Sequence, residues 1–239
     1  MFTEKLISVA NQNNATKNLI NEENAIRLEA LSCHMLEVNK TLNLTAIKDE
    51  DGVILKHLVD SSAVIPFIPE NAKLCDIGCG GGFPSLVIAI LRPDVSVFSV
   101  DSVSKKVAYV ENTAKKFGLT NENVSNERAE VLGQGKLRES FDVVTARAVG
   151  RLNLISELCI PLVKVGGVFL AMKSLSTDEE LEEATKAIEL LGGKVEKVFT
   201  YTLSDGNEKI DRSIVVIRKI KNTPEKYPRN NSQIAKKPL

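Results

Sequence analysis

The chain has 239 residues, 43% of them hydrophobic and 26% charged, with 31 basic residues matched by 31 acidic ones. This length suits one generous domain with or without an appendage, and the composition excludes collagen, coiled coil and wholesale disorder. No apolar run reaches the roughly 18 residues that span a bilayer, and the first residues lack a basic-then-apolar secretory signal, so a cytoplasmic protein without a membrane partner is expected.

Residues 1 to 72 read as a helical extension. In EENAIRLEALSCHMLEVNKTLNL the apolar residues recur at three- and four-residue intervals, and Asn21 is placed to start that helix. DGVILKHLVDSSAVIPFI predicts a further helix stopped near Pro66 and Pro69. From residue 73 to about 220 the texture changes to short strands alternating with amphipathic helices. KLCDIG, VSVFSVD, NVSNERAE, FDVVTARA and GGVFLAMK read as strands. PSLVIAILR, SKKVAYVENTAKKFG, RLNLISELCIPLV and TDEELEEATKAIELLGG read as helices, with Gly118 expected to cap the second of these. KVEKVFTYTL and RSIVVIRKI are two last strands joined by the polar turn SDGNEK. This alternation predicts a Rossmann-like α/β fold, a mostly parallel seven-stranded sheet with an antiparallel hairpin at one edge. The segment 221–239 is polar and proline-punctuated, and is expected to be an irregular tail lying on or near the core. Between Arg218 and Leu239 seven basic residues meet one acid, Glu225. Either a solvated tail or a phosphate-binding arm accounts for that excess.

Four glycines fall within Gly78–Gly82, directly after a strand. That is the ligand face of an open α/β sheet, where glycine lets the backbone turn tightly and approach a bound molecule. The next strand ends in Asp101, beside Ser102, where a carboxylate can accept hydrogen bonds from both ribose hydroxyls. An adenosine-containing ligand follows. The dinucleotide fingerprint would require glycine at position 83, which is Phe83, so a pyrophosphate is disfavoured. Asp76 before the loop suits a cationic ligand, and S-adenosylmethionine carries a sulfonium and an ammonium. The expected cofactor contacts are Asp76, Gly78, Gly80, Gly82, Asp101 and Ser102, with Ala129 and Glu130 near the adenine. Arg147, at the end of the fourth strand, is expected to anchor substrate or cofactor.

Six segments in order resemble the ribosomal small-subunit methyltransferase G family, formerly glucose-inhibited division protein B. They are NKTLNLTAI, KHLVDS, DIGCGGGFPS, VDSVSKKVAYV, FDVVTARAV and the ending YPR…KKPL. Ser85 stands where that family has glycine, Ala146 where serine is common, and residues 230 to 235 replace a G-x-P pattern. The resemblance implies cofactor contacts at Gly78, Phe83, Ala129, Glu130 and Arg147, with Asp101 at the ribose. It also implies methylation of a guanine N7 in the decoding region of 16S rRNA.

Guanine N7 is a free lone pair and needs no general base, and none stands at the strand ends. A pyrimidine C5 enzyme would need a cysteine near the fourth or fifth strand end, yet TARA and AMKS contain none; Cys33, Cys75, Cys79 and Cys159 are expected to be reduced, mostly buried thiols. Their spacing fits no zinc site, and no metal is expected. His34 reads as a packing residue, and His57 as either an RNA contact or a helix cap. RNA contacts are expected from Lys105, Lys106, Arg147, Arg151, Lys173, Arg229, Lys236 and Lys237, acting on the small ribosomal subunit with a monomeric enzyme and no DNA partner. A small-molecule methyltransferase and a non-catalytic ribosome-assembly binder are the competing readings.

Overall fold

Parallel strands need long crossovers and antiparallel ones need only a turn, so connection lengths here set strand direction. In the computed structural model, which describes residues 1–175 and 178–239, helices α1 (Phe2–Gln12), α2 (Glu22–Leu42) and α3 (Glu50–Val53) come first. A π-helical segment, Ile54–Val59, follows, and α4 (Asp60–Ser62) completes that rod. Then β1 (Lys73–Ile77), α5 (Ser85–Leu91), β2 (Ser96–Val100), α6 (Ser104–Lys116), β3 (Glu122–Ser125), α7 (Ala129–Gln134) and β4 (Phe141–Arg147) alternate. The chain continues through α8 (Leu152–Cys159), β5 (Val163–Ser174), α9 (Asp178–Leu190), β6 (Gly193–Ser204), β7 (Lys209–Lys219) and α10 (Asn231–Lys236).

The seven strands form one sheet in the order β3-β2-β1-β4-β5-β7-β6. The first five run parallel, and β7 lies antiparallel between β5 and the edge strand β6. The predicted fold class is therefore observed. One face buries Leu6, Leu28 and Met35 of the N-terminal helices with Leu74, Val97 and Val143 of the sheet in one apolar layer. The other face buries Leu152, Ile155, Ile188 and Ile234 against Val144, Phe169 and Val215.

Local chemistry sets the boundaries. Asn21 caps α2 by accepting from the Asn24 amide, as its position predicted. Gly118 takes φ +63° after α6, and the Leu119 amide reaches back to the Ala114 carbonyl, which closes the helix end. Three expectations need correction. The middle of the third helical rod is π-helical rather than α-helical. The strand read from NVSNERAE stops at Ser125, and Ala129 and Glu130 open α7 instead. The terminal segment is not wholly irregular, because Asn230 caps α10 through the Gln233 amide. The predicted start of α9, Thr177, lies outside the described residues.

The N-terminal helices are also tied to the hairpin. The Asn13 side chain donates to the Ser204 carbonyl and accepts from its amide, at 2.9 and 2.8 Å. Two regions distant in sequence thus meet beside the carboxyl ends of the parallel strands.

Candidate active site

Three adjoining cavities lie at the carboxyl ends of β1, β2 and β4. The glycine loop forms the first, of about 250 Å³, together with Phe83, Lys106 and Arg147. Gly78 (φ +74°) and Gly82 (φ +84°) occupy the left-handed region, and a Cβ on them would strike Val149 at 2.6 Å and Leu86 at 2.3 Å. Above Gly80 the space is open, its nearest other atom being the Gly78 carbonyl oxygen at 3.8 Å from a built Cβ. The loop is a cradle held in shape from below and empty of side chains above.

Asp101 shapes that cradle. One carboxylate oxygen accepts from the Gly80 amide at 3.0 Å and the other from the Val103 amide at 2.9 Å. Each oxygen keeps a lone pair for a ligand hydroxyl. Asp101 and Ser102 line a second cavity of about 290 Å³ with Ala129 and Glu130, over the apolar side chains Ile77, Val100, Leu154 and Leu158. Glu130 is turned to Arg128 at 2.5 Å. Asp76 lines neither cavity. It is buried beneath the loop beside Ser85, where Oδ1 accepts from Thr145 at 2.8 Å. Burial raises its pKa to about 6, opposed by Thr145 and Arg147.

The third cavity, about 360 Å³, opens beside Arg147 and is lined by Lys56, His57, Asp60, Lys173 and Arg212. Lys56, His57 and Asp60 all line it from the N-terminal rod and meet Arg147 at the end of β4. Arg147 donates to the Lys56 carbonyl at 2.8 Å, to Asp60 Oδ2 at 3.2 Å and to His57 Nδ1 at 3.2 Å. Its guanidinium also lies 5.8 Å from the Phe83 ring centre, and His57 stacks on that ring at 4.6 Å. Asp60 is buried and takes the Tyr201 hydroxyl on Oδ1 at 2.9 Å, with Arg212 at 3.7 Å. The burial of Tyr201 itself, and then the adjacent Asp60 carboxylate, push the Tyr201 pKa up.

His57 accepts from Arg147 on Nδ1, so its Nε2–H donates to Thr45 Oγ1 at 2.8 Å. Burial, and then the Arg147 charge, lower its pKa to about 3. His57 is a neutral bracket with both ring nitrogens in use. Thr45 is held in turn by Asn39, which bonds both its amide and its carbonyl at 2.9 Å.

The residues expected to contact RNA fall into two groups. Arg151 pairs with Glu183 and Lys173 with Glu180. Arg229 forms a two-pronged pair with Glu157 at 2.8 and 2.6 Å, and its own amide bonds the same carboxylate. Glu157 is fully buried, so Arg229 fastens the chain end to α8. Lys105, Lys236 and Lys237 are exposed and Lys106 is half-buried; none of the four forms an ion pair among the described residues. His34 stacks on Tyr109 with centroids 5.9 Å apart, a packing role. The four cysteines are free, three of them buried and Cys33 exposed.

Sequence reasoning missed Asp60, Tyr201, Arg212 and Asn231, which line or brace these cavities. KHLVDS was a visible signal for Asp60, but nothing in the sequence placed Tyr201 against it.

The profile of the family described as rRNA small subunit methyltransferase G matches residues 11–211. The chain belongs to this family. It is 44% identical to ribosomal RNA small subunit methyltransferase G of Lactobacillus acidophilus over 86% of this chain and 87% of that one. It is 45% identical to the protein of the same name from Bacillus subtilis, over 86% of each. Among solved structures, an S-adenosylmethionine-dependent O-methyltransferase from Thermotoga maritima covers 80% of this chain and 73% of its own at 17% identity, with a TM-score of 0.51. TrmN from Thermus thermophilus covers 68% of this chain and 48% of its own at 17% identity, with a TM-score of 0.52. These likenesses carry the fold alone. The cofactor of the family fold, S-adenosylmethionine, suits the residues present. An open glycine cradle adjoins a carboxylate with spare lone pairs and a cavity of about 290 Å³ floored by Ile77, Val100, Leu154 and Leu158.

Proposed function

We propose that this chain methylates N7 of a guanine in the decoding region of 16S rRNA, within the small ribosomal subunit. The observation that carries the reading is a cationic acceptor cavity, bordered by Arg147 and containing no free general base among the described residues, next to the cofactor cradle. When bound, S-adenosylmethionine supplies an electrophilic methyl carbon on a sulfonium. A guanine N7 acceptor would offer its free lone pair to that carbon, so this chain's residues would have no proton to remove. The residues of the cleft therefore have a positioning task, holding nucleophile and methyl in line at near-attack distance. Arg147 is fixed by three acceptors and a ring face, so it offers a rigid charge at the mouth of the acceptor cavity. A pyrimidine C5 mechanism finds no thiol on the acceptor cavity among the described residues: Cys75 and Cys159 line none of the three cavities, and Cys79 lines only the glycine cradle, where burial raises its thiol pKa.

The enzyme is taken to act in the cytoplasm as a monomer, on RNA and not DNA. No helix among the described residues is long and apolar enough to cross a membrane. Lys105, Lys106, Lys236 and Lys237 supply the unpaired positive charge that backbone phosphates require. Asp76 and Phe83 are assigned to shaping the cofactor end rather than to chemistry.

The test is methyl transfer from labelled S-adenosylmethionine to small subunits lacking native N7-methylguanine, mapped by chemistry that cleaves RNA at that base. One labelled guanine in the decoding region is expected. Tight cofactor binding without transfer to the subunit would favour a small-molecule acceptor, or a binder without catalysis. Replacing both Lys236 and Lys237 by alanine is expected to weaken subunit binding and flatten its salt dependence by about one unit of slope or more. An unchanged slope would remove those lysines from the interface.

A further inference from the structure

The chain end is built into the second cavity. Its last turn is fastened by the Arg229–Glu157 pair, by the buried Tyr227 and Ile234, and by Gln134, which donates to the Pro228 carbonyl at 2.8 Å. The family pattern quoted above would put glycine at position 232 and proline at 234. Here Ser232 and Ile234 stand there, and residues that tolerate helix allow α10 to form. This turn places Asn231 on the wall of the cavity that also holds Asp101 and Glu130.

The neighbours of Asn231 are chemically occupied. Asn230 spends its side-chain oxygen on the Gln233 amide and the Ser232 hydroxyl. Glu130 is paired with Arg128. The Asn231 carboxamide has no hydrogen-bond partner among the described residues, although the residue is half-buried. A side-chain amide offers one acceptor and one donor side by side. Adenine presents the complement, an exocyclic amine beside a ring nitrogen, and asparagine meets that edge with two bonds at once. The slot beneath is apolar and suits a flat heterocycle, while Asp101 lies beside it for the sugar.

We propose that Asn231 reads the adenine edge of the cofactor, which makes the chain end a wall of the cofactor pocket. The inference rests on the cofactor and not on the identity of the methyl acceptor. It assigns Asn231 a contact with the adenosine moiety, and it gives the Arg229–Glu157 pair a positioning role for that contact.

The experiment is calorimetric titration of the full-length protein with S-adenosylhomocysteine and with its analogue carrying hydrogen in place of the 6-amino group. The wild type is expected to bind the analogue about tenfold more weakly, the effect of one lost hydrogen bond in a desolvated slot. Asn231→Ala is expected to lose about tenfold for S-adenosylhomocysteine and to bind the two ligands equally. Asn231→Asp keeps an acceptor for the amine and should retain part of the discrimination. A merely structural Asn231 would weaken both ligands alike, so an unchanged ratio in Asn231→Ala overturns the proposal. A wild type that binds both ligands equally overturns it as well. A wild type that binds neither removes the cofactor site itself, an outcome distinct from both.

Discussion

The two halves of the cleft are held by different means. In the cofactor half, backbone does most of the holding: the Gly78 and Cys79 amides donate to the Val100 carbonyl, and Asp101 gathers the Gly80 and Val103 amides. These partners lie within a span of about 25 residues in one βαβ unit. In the acceptor half, side chains do the holding. Asp60 reaches Arg147 across 87 residues and Tyr201 across 141. The first half is a local solution that any chain with the right short segment can form. The second exists only once the N-terminal rod, β4 and the hairpin have all docked. The largest expected effect tests the first half. Asp101→Ala should weaken cofactor binding about 100-fold or more, because it deletes a charged acceptor and releases two loop amides. Titration with S-adenosylhomocysteine measures it, and affinity equal to wild type would show that the ribose is held elsewhere.

Arg147→Ala should divide the halves cleanly. We expect the turnover rate to fall about 100-fold while cofactor affinity stays within about threefold, since Arg147 borders the cradle but spends its hydrogen bonds on the N-terminal rod. Separate measurement of single-turnover rate and ligand dissociation constant decides the matter. A large loss of affinity with an unaltered rate would make Arg147 a cofactor residue and erase the division. Arg147→Lys keeps the charge without the planar fork, so it should recover little of the rate.

The same contrast explains what could be read before folding. The glycine run and Asp101 are visible because their chemistry is written in consecutive residues and in strand–loop–helix order. The parallel sheet is visible for the same reason, each βαβ unit being local. Arg147 was singled out from its place at a strand end, but its partners were not, because no periodicity links Asp60 to Tyr201. The π-helical turn left no signature in the apolar spacing of ILKHLV, which an α-helix would satisfy equally. The partner of Arg229 was hidden for a related reason. A basic residue in a basic tail looks solvated until the buried Glu157 beneath it is seen.

Tyr201→Phe is a milder test of the acceptor half. It removes one hydroxyl and leaves Asp60 with Arg147 and Arg212. A stability loss of about 1 kcal/mol is expected, measured by urea unfolding. Turnover should fall about fivefold, with cofactor affinity unchanged, because Asp60 is then free to shift away from Arg147. A stability loss without any change in rate would reduce Tyr201 to packing and show that Arg147 is adequately held by the rod alone.

The smallest effect on activity comes from the buried titrating groups, and here the two halves have opposite signs. Glu122 lies at the start of β3, away from the loops, bonded to Ser99 at 2.5 Å. Burial raises its pKa from 4.5 to about 8. The folded chain therefore holds a proton that the unfolded chain has released, and stability falls as pH rises from about 4.5 through 8. Asp76 behaves likewise between 3.8 and about 6. His57 does the reverse. Its folded pKa of about 3 lies below the ordinary 6.5, so the unfolded chain takes up the extra proton and stability is lost as pH falls from 6.5 toward 3. Between pH 6.5 and 8 only Glu122 of these three groups contributes a slope, bounded by about 1.4 kcal/mol per pH unit for one proton. Glu122→Gln should flatten that window and leave methyl transfer unchanged, while His57→Gln should leave the window alone and, by removing the one group of the three that opposes Glu122 and Asp76, steepen the fall of stability with rising pH below 6.5. Urea unfolding at half-unit intervals from pH 5 to 9 reads both. If Glu122→Gln keeps the wild-type slope above pH 6.5, the carboxyl is ionised in the fold, and its burial against Ser99 must be compensated by a group that the present arrangement does not place there.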